Sequence, residues 1–174
     1  IRRVFEEQKP FFYSDYAIFS LETKGWRIVE IFQPIKEVII AYGHKNISAL
    51  HETTLEITKE KEIGKEADCI IAVNANKACS DLSEEFKIAL KSGAKIKVTL
   101  EVDNLKDEFF AFGSPALKLT NEKSIVIRKS DYIDDRTLAI LSTKSARDIK
   151  REIIEKLKNP NQKIIITLEV LKES

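Results

Sequence analysis

Residues 68–91 read DCIIAVNANKACSDLSEEFKIALK, and residues 135–158 read DRTLAILSTKSARDIKREIIEKLK. The two stretches are identical at seven of 24 positions, and several other positions exchange apolar residues, as Val73/Ile140, Leu82/Ile149 and Phe86/Ile153 do. In each, a nearly unbroken apolar run leads into a segment whose apolar residues recur at helical spacing. This pattern predicts a buried strand followed by a helix. The repetition indicates that the chain contains one folding unit twice.

The match continues in shorter segments on both sides. Residues 95–102 (KIKVTLEV) and 163–170 (KIIITLEV) share six of eight positions and predict a closing strand in each half. Residues 38–42 and 109–112 are apolar and are each followed by a glycine, which predicts an opening strand.

A third matched pair predicts a half-exposed strand in each half. Residues 55–63 (LEITKEKEI) and 117–125 (LKLTNEKSI) share five of nine positions. This alignment places eight extra residues of the first half within 44–54 and five extra residues of the second half within 126–134. Because loops on a rigid scaffold often carry function, we expect a site near these two insertions.

The predicted fold class is α+β, with a β-rich, barrel-like domain that is internally duplicated. Two ββ(β)αβ halves, about 38–103 and 108–171, each contribute one helix to a single domain over 38–174. Each half alone would leave an unpaired strand edge, and closing the two into one barrel removes it. A two-layer α/β sandwich is the alternative.

Residues 1–37 are expected to form an N-terminal extension packed on this core. Two helical turns would end at Pro10, and an aromatic β-hairpin would follow with its turn at Lys24 and Gly25. The hairpin would cover a sheet edge, or it would offer a surface for a partner such as a second copy of the chain.

Composition restricts the function classes. The chain has 174 residues and carries 29 Lys and Arg against 28 Asp and Glu, which argues against a dedicated nucleic-acid binder. Abundant Lys, Glu and Ile are typical of proteins from hot environments. Neither a membrane-length apolar run nor a signal-peptide pattern is found, so we expect a soluble, cytoplasmic protein that does not enter a membrane.

Two lysine–aspartate pairs open the predicted helices. Lys77 and Asp81 in the first half, and Lys144 and Asp148 in the second, are spaced by four residues. A cation near a helix N-terminus opposes the helix dipole, so its presence in both halves suggests that it holds an anion against free backbone N–H groups. The alternative is an ordinary surface ion pair.

A second charged group lies in the predicted insertion of the second half. Arg128, Lys129 and Arg136 flank acidic residues that include Asp131. Such a mixture would bind a phosphate and a sugar, or its members would pair with one another.

Both histidines of the chain, His44 and His51, lie in the predicted insertion of the first half. Either would serve as a general acid or base, with Asp131 or Asp81 as a partner. Together with Cys69 and Cys79 they would supply two-histidine, two-cysteine zinc ligation, but the spacing fits none of the usual zinc motifs. We therefore predict no metal and no cofactor.

Three segments resemble a family of archaeal proteins catalogued as domain of unknown function number 371. They read GHKNISALHETTLEITKE, DCIIAVNANKACSDL and IRKSDYIDDRTLAI, and the resemblance covers roughly residues 38–158. It implies an archaeal, intracellular source and implies no activity.

Two functions remain open from the sequence. One is a binding module for an anionic ligand, either a nucleotide or a structured RNA, that uses Lys77, Lys144, Arg128 and Lys129. The other is an enzyme acting on a phosphorylated or carboxylated small molecule, with His51 or His44 as acid or base. The sequence does not decide whether the protein is an enzyme.

Overall fold

The chain divides into two compact units, residues 1–35 and 36–174. A computed structural model describes residues 34–172 and, before them, the backbone of three strands. These strands form an antiparallel sheet in the order β1-β2-β3. Their bounds are β1 (Phe11–Tyr13), β2 (Tyr16–Ser20) and β3 (Ile28–Phe32).

The predicted hairpin of the first unit corresponds to β2 and β3. These strands pair antiparallel from Tyr16 opposite Phe32 to Ser20 opposite Ile28. The helical turns predicted before Pro10 and the turn predicted at Lys24 and Gly25 lie outside the described residues.

The second unit repeats one order of elements. Three strands, a short 3-10 turn and a helix are followed by a strand, and the order then recurs with the last strand closing the unit. The elements are β4 (Lys36–Tyr42), β5 (Thr54–Thr58), β6 (Ile70–Ala72), a 3-10 turn (Cys79–Asp81), α1 (Glu84–Lys91), β7 (Lys95–Val102), β8 (Leu105–Phe112), β9 (Ser124–Arg128), β10 (Thr137–Ala139), a second 3-10 turn (Ala146–Asp148), α2 (Arg151–Lys156) and β11 (Lys163–Val170).

The first four-stranded sheet is antiparallel throughout, in the order β4-β11-β7-β8. Its central strands alternate apolar and polar residues, so one face of the sheet is apolar. Every second residue of β7 is fully buried, and so are three alternate residues of β11: Ile96, Val98, Leu100 and Val102 in β7, and Ile164, Ile166 and Leu168 in β11.

The second sheet has the order β10-β9-β5-β6, with an antiparallel central pair and parallel outer pairs. Single bridges, between Tyr42 and Val73 and between Phe112 and Ile140, connect its outer ends to β4 and β8. The mixed α+β class is confirmed, but the expected closed barrel is not. Residues 34–172 form two four-stranded sheets, because β6 and β10 are only three residues long and cannot extend the ladder.

The strand predicted over 117–125 is misplaced. The strand that pairs with β5 is β9, which begins at Ser124, and Thr54 faces Arg128 across the pair. Leu117 and Leu119 are buried, but they lie in the loop before β9, where Leu119 has a φ of 55°. The five identities therefore aligned a strand with a loop.

Loop lengths correct the predicted insertions. The same number of residues separates β4 from β5 and β8 from β9, so the segment with both histidines is not an insertion. The two halves differ instead in the next loop. Residues 59–69 connect β5 to β6 with eleven residues, whereas residues 129–136 connect β9 to β10 with eight.

A buried carboxylate on β4 caps the first helix. Glu37 is 6% exposed and accepts hydrogen bonds from the backbone N–H of Ser83 at 2.6 Å and from Lys77 Nζ at 2.8 Å. Burial raises the pKa of Glu37, but these hydrogen bonds and the lysine charge outweigh it and leave the pKa below its ordinary value. The carboxylate therefore satisfies a free N–H at the start of α1.

A carboxylate on β8 does the same for the second helix. Asp107 is 4% exposed and accepts hydrogen bonds from the N–H of Lys150 at 2.8 Å and from Lys144 Nζ at 2.6 Å. The two edge strands of the first sheet thus each hold a helix start. Within the described residues, no helix is long and apolar enough to cross a membrane.

We predict that Asp107→Ala lowers the free energy of unfolding by about 3 kcal/mol, because it leaves an ammonium and a backbone N–H without their buried acceptor. Urea unfolding followed by circular dichroism measures the change. Glu108→Ala is the matched control, since this neighbour forms only an exposed ion pair with Lys106 and its removal should change stability little. Equal losses in the two variants would contradict the role given to Asp107.

Candidate functional site

The lysines predicted to hold an anion lie in the ion pairs that cap the helices. Lys77 contacts Glu37 and Lys144 contacts Asp107, and each lysine side chain is 30% exposed. The start of each helix therefore faces a carboxylate of the chain itself. This arrangement gives the repeated lysines a structural role.

The aspartates of the same pairs cap the two 3-10 turns. Asp81 accepts the N–H of Ala78 at 2.8 Å, and Asp148 accepts the N–H of Ser145 at 2.9 Å. Each carboxylate also forms a 2.6 Å ion pair with the lysine that follows a central strand of the second sheet. Lys59, after β5, contacts Asp81, and Lys129, after β9, contacts Asp148.

Two arginines of the second half, Arg128 and Arg136, share an acidic partner. Asp134 lies 3.0 Å from Arg128 and 3.4 Å from Arg136, and Arg136 also reaches the buried Glu56 at 3.4 Å. The ring of Tyr132 stacks on the Arg128 guanidinium with a separation of 4.9 Å. Burial raises the pKa of Asp134, but hydrogen bonds and the two arginines lower it by more. The two arginines therefore pair with carboxylates of the chain itself.

No hydrogen bond or ion pair within the described residues joins the remaining predicted residues to one another. His51 accepts the N–H groups of Thr53 and Thr54 on Nδ1, while Asp131 is exposed in the loop after β9. Burial, aided by nearby carboxylates, raises the pKa of both thiols, Cys69 and Cys79, to about 12, so neither is a ready nucleophile. Residues 34–172 contain no cluster of histidine, cysteine and carboxylate side chains that could hold a metal ion.

The other histidine, His44, lines a cleft beside the bridge that joins Tyr42, at the end of β4, to Val73, the residue after β6. The cleft has a volume of about 270 Å³ and is partly open to solvent. We call it the His44 cleft, and its lining residues are Tyr42, Gly43, His44, Lys45, Lys61, Glu62, Val73, Asn74 and Pro160.

Gly43 sets the position of the histidine. A Cβ at Gly43 would collide with the carbonyl oxygens of Leu157 and Asn159, so only glycine allows the chain to pass this close to the end of α2. The N–H of His44 then donates to the carbonyl of Leu157 at 2.8 Å. Tight backbone packing thus fixes the imidazole at 5% exposure.

Hydrogen bonds fix the orientation of the imidazole. Nδ1 accepts the N–H of Asn46 at 3.0 Å, which leaves the ring proton on Nε2. Nε2 lies 3.0 Å from Oε2 of Glu62, whose side chain is 88% exposed. The hydrogen bond from His44 is the main cause of a lowered pKa at Glu62. A fixed N–H donor is therefore covered by a loosely held carboxylate.

The other polar groups of the cleft are uncommitted. Lys45 and Lys61 form no ion pair with a described residue, although the charge of Lys45 helps to lower the pKa of Glu62. The side chains of Tyr42 and Asn74 make no hydrogen bond within the described part of the chain. Two cations and two neutral polar side chains thus surround the imidazole.

The junction between the sheets in the other half has a different character. It lies at the bridge between Phe112 and Ile140 and is followed by Leu141, whose φ of 52° matches the 53° of Asn74. Phe112 and Leu141 are both exposed there. The backbone geometry is shared by the two junctions, while the polar lining belongs to the first.

Residues 39–171 match the family described as Domain of unknown function (DUF371). The chain belongs to this family. It is also similar to an uncharacterized protein of Methanocaldococcus jannaschii, with 49% identity over 127 residues that cover 73% of this chain and 94% of the relative. The resemblance seen in the sequence is confirmed, and the match extends beyond residue 158 to include β11.

Sequence reasoning found one residue of the His44 cleft and missed its charged neighbours. Lys61 and Glu62 lie in the loop over 59–69, which is the longer of the two β–β connections. An alignment that matched β5 with β9 would have placed the length difference in this loop and drawn attention to both residues.

The pKa of Asp148 gives a prediction about acid stability. The hydrogen bond from Lys129, followed by that from the Ser145 N–H, lowers this pKa from 3.8 to about 2. A group whose pKa is lower in the folded state stabilises the protein above its unfolded pKa and loses this contribution as the pH falls. Between about pH 3.8 and pH 2, the wild-type free energy of unfolding should therefore fall more steeply with decreasing pH than that of Asp148→Asn.

Urea titrations at a series of pH values measure this slope. Asp131→Asn controls for the loss of one acidic residue, because Asp131 is exposed and forms no hydrogen bond or ion pair with a described side chain. Parallel slopes for the wild type and Asp148→Asn would show that the contact with Lys129 does not contribute.

Proposed function

We propose that this protein binds a small molecule with a phosphoryl or carboxylate group in the His44 cleft, and so acts as a binding module for an anionic ligand. One observation carries the proposal. The cleft combines a buried, oriented imidazole N–H with two lysines that no carboxylate of the described chain contacts within ion-pair distance. Ligand sites are typically concave and contain a few convergent polar groups of this kind.

The charges of the cleft favour an anion. Lys45 and Lys61 are both exposed, so each remains solvated until a ligand arrives and neither requires a partner for stability. Glu62 supplies the opposing charge, and its carboxylate is held through His44. Removal of that carboxylate from the cleft would leave two ammonium groups and one N–H donor facing the same space.

The size of the cleft favours a small ligand over RNA. A volume of about 270 Å³ lies just below the usual range of ligand pockets, whereas structured RNA is contacted over an extended basic surface. The four cations that the sequence suggested for a phosphate are each paired with a carboxylate: Lys77, Lys144, Arg128 and Lys129. These pairings leave less free positive charge for a phosphate backbone.

An enzyme with a histidine acid or base is the alternative. Both ring nitrogens of His44 are engaged, one by the N–H of Asn46 and the other by Glu62. Proton transfer through Nε2 would need Glu62 to leave, as ligand binding there does, and would in addition change the protonation of a ring whose Nδ1 is already occupied. Binding therefore accounts for the geometry with fewer requirements.

We also infer that residues 36–102 and 105–170 derive from one duplicated unit. The repeated order of elements, the paired carboxylate caps and the two matching bridges support this inference. On this view the His44 cleft is a specialisation of one half, built with the longer loop over 59–69.

We predict that wild-type protein binds inorganic phosphate, adenosine 5′-monophosphate or citrate in isothermal titration calorimetry, and that Lys61→Ala weakens this binding about tenfold. The lysine contributes a charge-assisted hydrogen bond that alanine cannot make. Lys45→Ala should have a similar effect. Lys118→Ala is the control, because it removes an exposed lysine outside the cleft.

The ligand panel separates the two anionic groups, since phosphate and citrate differ in the group that they present. A structured RNA hairpin is titrated in parallel at several salt concentrations. Binding of the hairpin alone, or equal affinity in Lys61→Ala and Lys118→Ala, would contradict a small-anion site in the cleft.

A further inference from the structure

The carboxylate of Glu62 lies 3.0 Å from Nε2 of His44, within the His44 cleft. We propose that this carboxylate occupies the position taken by the anionic group of the ligand, so that Glu62 competes with the ligand for the Nε2–H of His44 and selects for dianions. This inference rests on the function proposed above and concerns the regulation and specificity of the same site.

The donor persists whether or not Glu62 is present. Nδ1 of His44 accepts the Asn46 N–H, and the Asn46 side chain donates in turn to the carbonyl of Ile63 at 2.8 Å. The backbone of His44 is held by Leu157. None of these contacts involves the Glu62 side chain, so the N–H keeps its direction when the carboxylate moves away.

The acceptor, in contrast, is easy to displace. The Glu62 side chain is 88% exposed, and its one hydrogen bond within the described chain is the one to His44. Its carboxylate remains solvated in either position, so leaving the cleft requires little desolvation or unpacking. An anion that brings a second negative charge would replace it at small cost.

The remaining charges define the class of ligand. With Glu62 in place, Lys45, Lys61 and the carboxylate give a local charge of one positive unit. Once the carboxylate swings out, two ammonium groups face the ligand. A monoanion would therefore gain less than a dianion, and we expect a phosphate monoester or a dicarboxylate to be preferred.

Two substitutions at one position separate competition from simple charge repulsion. Glu62→Gln removes the negative charge, whereas Glu62→Asp keeps it on a side chain one methylene shorter, which draws the carboxylate back from Nε2. Glu60→Gln is the matched control, because it removes an exposed negative charge from the same loop that does not contact His44.

Competition predicts that Glu62→Gln and Glu62→Asp each bind inorganic phosphate about threefold more tightly than wild type, with Glu60→Gln unchanged. Calorimetry at constant ionic strength measures the three dissociation constants. Tighter binding by Glu62→Gln alone would assign the effect to charge repulsion and overturn the competition. Unchanged affinity in both Glu62 variants, with Lys61→Ala still weakened, would overturn it while the anion site stands. Loss of binding in every protein, wild type included, would overturn the proposed function itself.

Discussion

The second unit depends on the burial of one carboxylate at each edge of its first sheet. Glu37 and Asp107 lie on the apolar face of edge strands, where an unpaired charge would be strongly destabilising. Each is tolerated because a backbone N–H at a helix start and a lysine ammonium both donate to it. The same contacts fix the helices against the sheet. Each carboxylate is therefore stabilised in its buried position and also positions the start of a helix.

Most elements of the second unit could be predicted from the sequence, whereas β9 could not. The bounds of β7 and β11 match the predicted segments because every second residue of these eight-residue stretches is apolar, which is typical of a strand with one buried face. The sequence predicts this strand at 117–125 instead of at β9, because chance identities of Thr, Lys and Glu are frequent in a chain with 33% charged residues. The strand is defined by its hydrogen bonds to β5, which a comparison of letters does not contain.

The candidate site was predicted only in part, for a related reason. Lys77 and Lys144 looked like unexplained cations because their partners lie 40 and 37 residues away in sequence. The local sequence pattern therefore suggested an external anion, whereas in the fold each lysine contacts a carboxylate of the same chain. His44 was identified by its chemistry alone, whereas Lys61 and Glu62 became visible once the correct strand pairing showed which loop is longer.

The two junctions between the sheets share a backbone geometry but differ in their side chains. Both have a single bridge followed by a residue with positive φ, so this backbone geometry is part of the architecture. One junction carries exposed apolar side chains, and the other carries a buried imidazole with two lysines. Since the same backbone is compatible with either set, the backbone geometry alone does not account for the polar set. Recognition of an anion, as proposed above, is a role that the lysines and the imidazole N–H can fill.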